Sequence, residues 1–364
     1  MRGRGLTSNI LLSFVTVPVA LAIAEVIVRI AHPQPIPSQD RLRSWALPGM
    51  YVADDSVGYR LAPDFAGRLE RRGVVTEFRT NSLGLRAPEL GPRRAGLPRI
   101  AAFGDSLTFG WGVAQGEEWV GFAERELAVR LAPRGAEFVN CGVGGYGTRN
   151  ELALLALLGP ALAPDIVIAG FYPNDLTDNL RGLDAYTVRD GVLFDERSAA
   201  VYRENALARA SHLVRLVSAG WQAWRERWLE LPPGARPLGA FSIEELREGE
   251  RLSAELLLRM AEESRALGAR FGVVWLPTEK YVRAGAAVPL QQRLQREVEV
   301  AGVPALDLLP VFAAEPDVAS LYLPDRHFST AGNRAVGRAV ANWLLAVGML
   351  ERDSSPPPSS ERTR

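Results

Sequence analysis

Cysteine is nearly absent. Cys141 is the only one in 364 residues, which excludes an internal disulfide and any cysteine-based zinc site. Histidine is almost as scarce, with three in the chain, and no H-x-x-x-H pair supplies a metal ligand set, so neither a metal nor a cofactor is expected. Net charge is missing too. Lysine plus arginine and aspartate plus glutamate balance at 42 each. No field draws in nucleic acid, and no basic stripe is interleaved with aromatics, so no nucleic-acid partner is expected. What the chain does have is apolar content, 47% of its residues. That is enough to bury a sizeable core, in one large domain with appendages or in two smaller ones.

Residues 1–31 carry Arg2 and Arg4 ahead of a mostly apolar run, Gly5 to Ala24, which resumes past Glu25 up to Ala31. Ala20-Leu21-Ala22 could pass for a signal-peptidase site, which keeps a cleaved signal peptide as the alternative, but the run continues beyond it and is too long for a typical h-region. The segment reads as an uncleaved signal anchor, a single transmembrane helix. Positive residues stay in the cytoplasm, so the bulk of the chain is expected on the periplasmic or extracellular side of the inner membrane.

Residues 32–97, with "PQPIPSQ" and "VVTEFRT", read as a linker and a small β-rich lead-in. From 98 to 350, "RIAAF", "AEFVN", "DIVIAGF", "FGVVWLP" and "PALDLL" alternate with amphipathic helical patterns. Such alternation predicts an α/β domain whose parallel sheet is covered on both faces. About 181–250 is too long for a simple βα connection and reads as a helical insertion. Within it Trp221, Trp224 and Trp228 recur at helical spacing. They read as a face packed on the domain or, with Arg225 and Arg227, as a cap over an acyl or glycan pocket or at the membrane interface. The Pro/Ser-rich end, 351–364, reads as disordered.

Ligands of such sheets bind beyond the carboxyl ends of the strands. The loops at those ends are "GDSLTFG", "NCGVGGYGT", "YPNDLTDN" and "LPDRHFSTAGN". Ser106 lies in the first. A serine hydroxyl is a weak nucleophile and needs a base, which in turn needs a group to fix its tautomer. His32 directly follows the membrane segment and His212 lies in a helix-like run, which leaves His327. Asp325 is the natural orienting group, although Asp-x-His in a loop is also ordinary turn chemistry. Gly142, Gly144 and Gly147 match a dinucleotide-type G-x-G-x-x-G, but the acidic residue at the right distance, Asp165, stands before its strand and so at the wrong edge. The G-x-S-x-G elbow fails at Thr108. Cys141 reads as a small buried hydrophobe.

These four loops, in this order over roughly residues 98–350, resemble the four blocks of the SGNH, or GDSL-type, hydrolase family. The resemblance implies a flavodoxin-like three-layer α/β/α fold, with Ser106 as nucleophile and His327 as general base. It also implies an oxyanion hole from the N–H of Ser106, the N–H of Gly145 and the amide of Asn174. Donors of that kind must already point to where negative charge develops. The final block departs from the family pattern. Its aspartate position, three before the histidine, is Pro324, and Asp325 lies two before. The D-x-H spacing, like "WLPTEKYV" with Lys280, is similar to the alginate-type O-acetyltransferases. An extended segment would put residues 325 and 327 on one side; a carboxylate from a distant loop, Asp175 or Asp178, is the alternative.

The sequence thus predicts a membrane-anchored serine esterase acting on a small acyl ester, O-acetyl above all, of an envelope glycan or lipid. An O-acyltransferase using the same triad and a non-catalytic envelope scaffold on the same fold are the alternatives.

Overall fold

The computed structural model describes residues 3–32, 43–44, 47–71, 74–184, 186–189, 191–194, 210–217, 220, 241, 243–287 and 289–351. Trp221, Trp224, Trp228 and the tail from residue 352 lie outside the described residues. In chain order the strands are β1 (Arg43–Ser44), β2 (Tyr51–Asp54), β3 (Gly58–Leu61), β4 (Ala66–Arg71), β5 (Val74–Arg79) and β6 (Arg99–Gly104). They continue as β7 (Glu137–Gly142), β8 (Ile166–Phe171), β9 (Thr187–Arg189), β10 (Val192–Phe194), β11 (Arg270–Trp275) and β12 (Ala305–Asp307).

Five of these form one sheet in the order β12-β11-β8-β6-β7, and every pairing in it is parallel. The apolar runs become buried strands because their side chains alternate between two cores. Ile100, Ala102, Ile166 and Ile168 point into one, and Ala101, Phe103, Val167 and Ala169 into the other. Helices Trp119–Arg130 and Thr330–Ala346 cover the first face. Helices Thr148–Leu162, Ile243–Ala266 and Pro289–Val300 cover the second. This is the doubly wound α/β arrangement that the alternation predicted. The chain leaves the adjacent strands β6 and β8 in opposite directions, which opens a crevice at their carboxyl ends.

The lead-in is not strung along the surface. β2 and β3 form one antiparallel hairpin and β4 and β5 another, while β1, β10 and β9 make a small third sheet. Met50, Tyr51, Val57, Tyr59, Leu61, Phe78 and Leu85 share a single core with Phe103 and Val139 of the central sheet. The lead-in therefore folds on the edge of the sheet that carries the crevice.

An N-terminal helix runs from Gly3 to Ala31. Among the described residues no helix is long and apolar enough to cross a membrane, so the structure does not show the membrane-spanning helix the sequence predicts. The described side chains of this helix begin at Phe14 and include the charged pair Glu25 and Arg29. Glu25 accepts hydrogen bonds from the Ser211 hydroxyl at 2.7 Å and from the backbone N–H groups of His212 and Leu213. This part of the helix is thereby tied to the start of the helical stretch 212–217.

Candidate active site

Ser106 stands directly after β6, where the strand turns into the short helix Ser106–Phe109. The Asp105 carboxylate starts that helix by accepting the Leu107 N–H at 2.8 Å, as a helix N-cap does. Because β7 lies beside β6, this turn approaches the β7 backbone closely. A Cβ on Gly142 would come within 2.3 Å of the Phe109 nitrogen, so only glycine fits there.

Across the crevice, His327 Nε2 lies 2.9 Å from Ser106 Oγ. His327 is 7% exposed, and its ring lies against Trp111 with centroids 6.1 Å apart. The segment before it is not extended, which corrects the expectation from D-x-H spacing. The Leu323 N–H donates to the His327 carbonyl and the Arg326 N–H to that of Leu323, both at 2.8 Å. Arg326 closes this turn at φ 75°, a left-handed conformation uncommon for a residue with a Cβ. The turn, rather than strand alternation, folds Asp325 back toward the imidazole. Its Oδ1 accepts the His327 N–H at 3.4 Å, and its Oδ2 lies 3.3 Å from His327 Nδ1, an ion-pair distance that is long for a hydrogen bond. Asp325 is thus turn former and imidazole partner at once. Burial pushes its carboxyl up, but contact with His327 outweighs burial and holds it below the usual carboxylate value.

Asp175 and Asp178 are committed elsewhere. Asp175 Oδ2 accepts the Tyr172 N–H at 3.0 Å, and Asp178 pairs with Arg181 at 3.2 Å.

The other two strand-end groups also converge. Gly145 adopts φ 84°, a left-handed turn that favours glycine, and a Cβ there would sit 2.9 Å from the Tyr59 hydroxyl. Tyr59 donates that hydroxyl to the Gly144 carbonyl at 3.1 Å. The carbonyl of residue 144 and the N–H of residue 145 belong to one planar peptide and point opposite ways, so Tyr59 aims the Gly145 N–H. Asn174, after β8, donates its side-chain nitrogen to Asp105 Oδ2 at 3.2 Å and to Asp178 Oδ2 at 3.0 Å. Both amide hydrogens are therefore engaged by carboxylates.

Beneath this loop lies a buried acidic group. Asp105, Glu151 and Asp175 are each no more than 1% exposed. Burial raises Asp105 to about 6. Burial and the charge of Asp105 raise Glu151 well above the usual range, and burial with the charges of Glu151 and Asp105 does the same for Asp175. Each of these groups keeps its proton to a higher pH than a solvated carboxyl does.

Sequence reasoning missed the contribution of the lead-in. Arg86 is 1% exposed and donates to the carbonyls of Phe109, Gly110 and Val113 at 2.9, 2.6 and 2.8 Å. Its guanidinium lies 4.8 Å over the Phe109 ring. The loop that follows Ser106 is thus pinned from outside the sheet, at residues with no motif signature. The alternation in "MYVADDSVGYRL" marks a hairpin, yet nothing local says that Tyr51 and Tyr59 face residues 144–146.

Two earlier readings are settled by placement. Asp165 sits at the amino edge of the sheet, paired with Arg93 and accepting the Arg99 N–H at 2.7 Å, so it does not face the glycine loop. Cys141 is fully buried, and burial pushes its thiol up.

A serine, an imidazole and a carboxylate brought together at the carboxyl edge of a doubly wound sheet are the apparatus of a serine hydrolase. The profile of the GDSL-like Lipase/Acylhydrolase family matches residues 102–335. The chain belongs to that family and is a serine hydrolase acting on ester bonds. Among solved structures it is similar to a lipase/acylhydrolase from Enterococcus faecalis, at 15% identity and a TM-score of 0.40 over 69% of this chain and 97% of that one. It is also similar to an acetylxylan esterase from Geobacillus stearothermophilus, at 15% identity and a TM-score of 0.39 over 68% and 94% of the two chains. A psychrotrophic esterase from a Pseudoalteromonas species gives 12%, 0.39, 68% and 97% in the same order. No curated protein sequence matches the chain.

Proposed function

We propose that the protein is a membrane-anchored esterase that removes a small acyl group, acetyl above all, from an envelope glycan or lipid. The observation that carries the chemistry is the 2.9 Å contact between Ser106 Oγ and His327 Nε2. Ser106 Oγ attacks the ester carbonyl carbon while its proton passes to His327 Nε2. Asp325 holds the opposite ring nitrogen and stabilises the imidazolium. The N–H groups of Ser106 and Gly145 and the Asn174 amide take up the charge on the carbonyl oxygen, Asn174 by turning one N–H from a carboxylate to the oxyanion. His327 then returns the proton to the leaving alcohol, and water cleaves the acyl-enzyme by the same route in reverse. The D-x-H spacing of Asp325 and His327 favours a second reading on the same residues, in which a sugar hydroxyl replaces water and the protein is an O-acyltransferase.

Anchoring is supported by the apolar run behind Arg2 and Arg4 and by the side chains of the N-terminal helix. Phe14, Leu21, Ile23, Ile27 and Ile30 are between 55% and 78% exposed, which water disfavours and lipid does not. With the arginines retained in the cytoplasm, the catalytic domain lies on the periplasmic or extracellular side. An alkaline phosphatase fused to the C-terminus is expected to be active; an inactive phosphatase with a bright cytoplasmic fluorescent fusion would reverse the topology.

The chemistry is tested by treating the full-length protein with a fluorophosphonate probe and locating the adduct. Labelling at Ser106, with hydrolysis of p-nitrophenyl acetate faster than of longer esters, is expected. No adduct in a folded protein would leave the scaffold reading, and acyl transfer to added sugars would favour the transferase.

A further inference from the structure

Tyr51 has a feature that packing does not explain. It is 2% exposed, and its hydroxyl is buried without a hydrogen-bond partner among the described residues. A buried hydroxyl left unpaired costs about 1–3 kcal/mol, and phenylalanine would fill the same place without that cost. The residue is held through its backbone and its ring. The Tyr51 N–H donates to the Gly191 carbonyl at 3.0 Å, β2 pairs it with Leu61, and the Tyr59 ring meets it edge to face at 5.5 Å.

The hydroxyl ends against the Gly144 backbone, on the side that faces the nucleophile. A carbon at the Cβ position of Gly144 would lie 3.4 Å from Tyr51 Oη and 4.0 Å from Ser106 Cβ, with no other described heavy atom outside residues 143–145 within 4 Å. Tyr51 Oη and the Ser106 side chain therefore flank the same side of Gly144, next to the Gly145 N–H proposed for the oxyanion. Across the site, Asn174 has both amide hydrogens on Asp105 and Asp178. It must surrender a charge-assisted bond before it can donate to an oxyanion. Tyr51 surrenders nothing.

We infer that Tyr51 is a further catalytic residue, whose hydroxyl donates a hydrogen bond to the oxyanion formed when Ser106 attacks the ester. A donor with no partner in the resting site gains one only as negative charge develops. Its bond therefore lowers the barrier rather than tightening substrate binding. No proton is transferred from Tyr51: the phenol keeps its O–H throughout, and its bond is lost when the carbonyl re-forms. Tyr51 precedes the region matched by the family profile, so this chain supplies from its own lead-in a donor that the four loops do not contain. The inference rests on the serine-esterase reading above.

The test is Tyr51→Phe in the full-length protein, assayed with p-nitrophenyl acetate beside wild type and Ser106→Ala. Wild-type turnover that Ser106→Ala abolishes establishes the underlying reading; its absence would overturn that reading and this inference with it. Given that turnover, Tyr51→Phe is expected to lower kcat by about 10-fold to 100-fold with KM little changed, the range for a hydrogen bond to a charged group. Its melting temperature is expected to equal or exceed that of wild type, because an unpaired buried hydroxyl has been removed. This separates a catalytic from a structural role, since a structural hydroxyl would show in the melting temperature. Wild-type kcat in Tyr51→Phe, or a rise in KM alone, would overturn the inference while leaving the esterase reading in place.

Discussion

Two regions meet at Ser106 and contribute in different ways. The stretch matched by the family, 102–335, carries the proposed reacting groups Ser106, His327 and Asp325 on loops at strand ends. The lead-in, ahead of that stretch, carries none of them, yet Arg86 holds three carbonyls of the loop behind Ser106 and Tyr59 holds the Gly144 carbonyl. A loop at the end of a strand can present a side chain, but the direction of its peptide groups is soft unless something grips them. Here the grip comes from hairpins that share a core with the sheet. The first region makes the chemistry possible, and the second sets the aim of the backbone that serves it.

The comparison is broken most directly from the side of the family core. Ser106→Ala or His327→Ala is expected to lower kcat by about 10⁶-fold, and Asp325→Asn by about 10⁴-fold, in proteins that still fold. Steady-state turnover with circular dichroism as a folding control checks this. Near-normal turnover in Asp325→Asn would reduce the triad to a dyad. Next in size, Asn174→Ala is expected to cost about 10²-fold to 10³-fold in kcat with KM changing much less; a rise in KM alone would make Asn174 a binding residue.

At Arg86 of the lead-in the effect moves from rate to stability. Arg86 is buried and makes several hydrogen bonds from a charged group, and burial lowers its pKa to about 10. Arg86→Ala is expected to cost about 3 kcal/mol or more, read as a lower urea midpoint in detergent, with a smaller loss of turnover. If the midpoint stays put, the lead-in does not brace the site.

The smallest effect distinguishes two carboxylates of the site by the sign of their pH dependence. Asp105, raised to about 6 by burial, binds its proton more tightly folded than unfolded. Its contribution to stability is full below its unfolded value near 4 and is lost as pH rises through about 6. Asp325, lowered by His327, contributes above the unfolded value, and that contribution is lost as pH falls through its folded one. Asp105→Asn can still cap the Leu107 N–H, so it is expected to flatten the decline in melting temperature between about pH 4 and 6. An unchanged slope would show that Asp105 is already ionised in the folded protein.

Much of the candidate site was legible, Gly145 and Asn174 through the family resemblance alone, because its loops are local in sequence. Ser106, Gly145, Asn174 and His327 each sit in a loop next to an apolar strand, and the parallel sheet then gathers those loops at one edge. The Asp325 geometry was not legible, since the left-handed turn at Arg326 leaves no mark in residue type and the spacing fits an extended segment equally well. The commitment of the Asn174 amide to Asp105 and Asp178 was hidden for another reason: Asn174 and Asp178 share the third loop, but Asp105 stands in the first, and amide direction depends on how β6 and β8 abut.

By itself the sequence determined the alternation of buried strands with amphipathic helices, and hence a doubly wound sheet with its site at the carboxyl edge. It also determined the single histidine placed to serve Ser106, because scarcity left no other. Only the tertiary structure decided that residues 51, 59 and 86 stand against residues 144, 145 and 109–113. Periodicity reports which face of an element is apolar, whereas the partner that covers that face is chosen by packing between segments far apart in the chain.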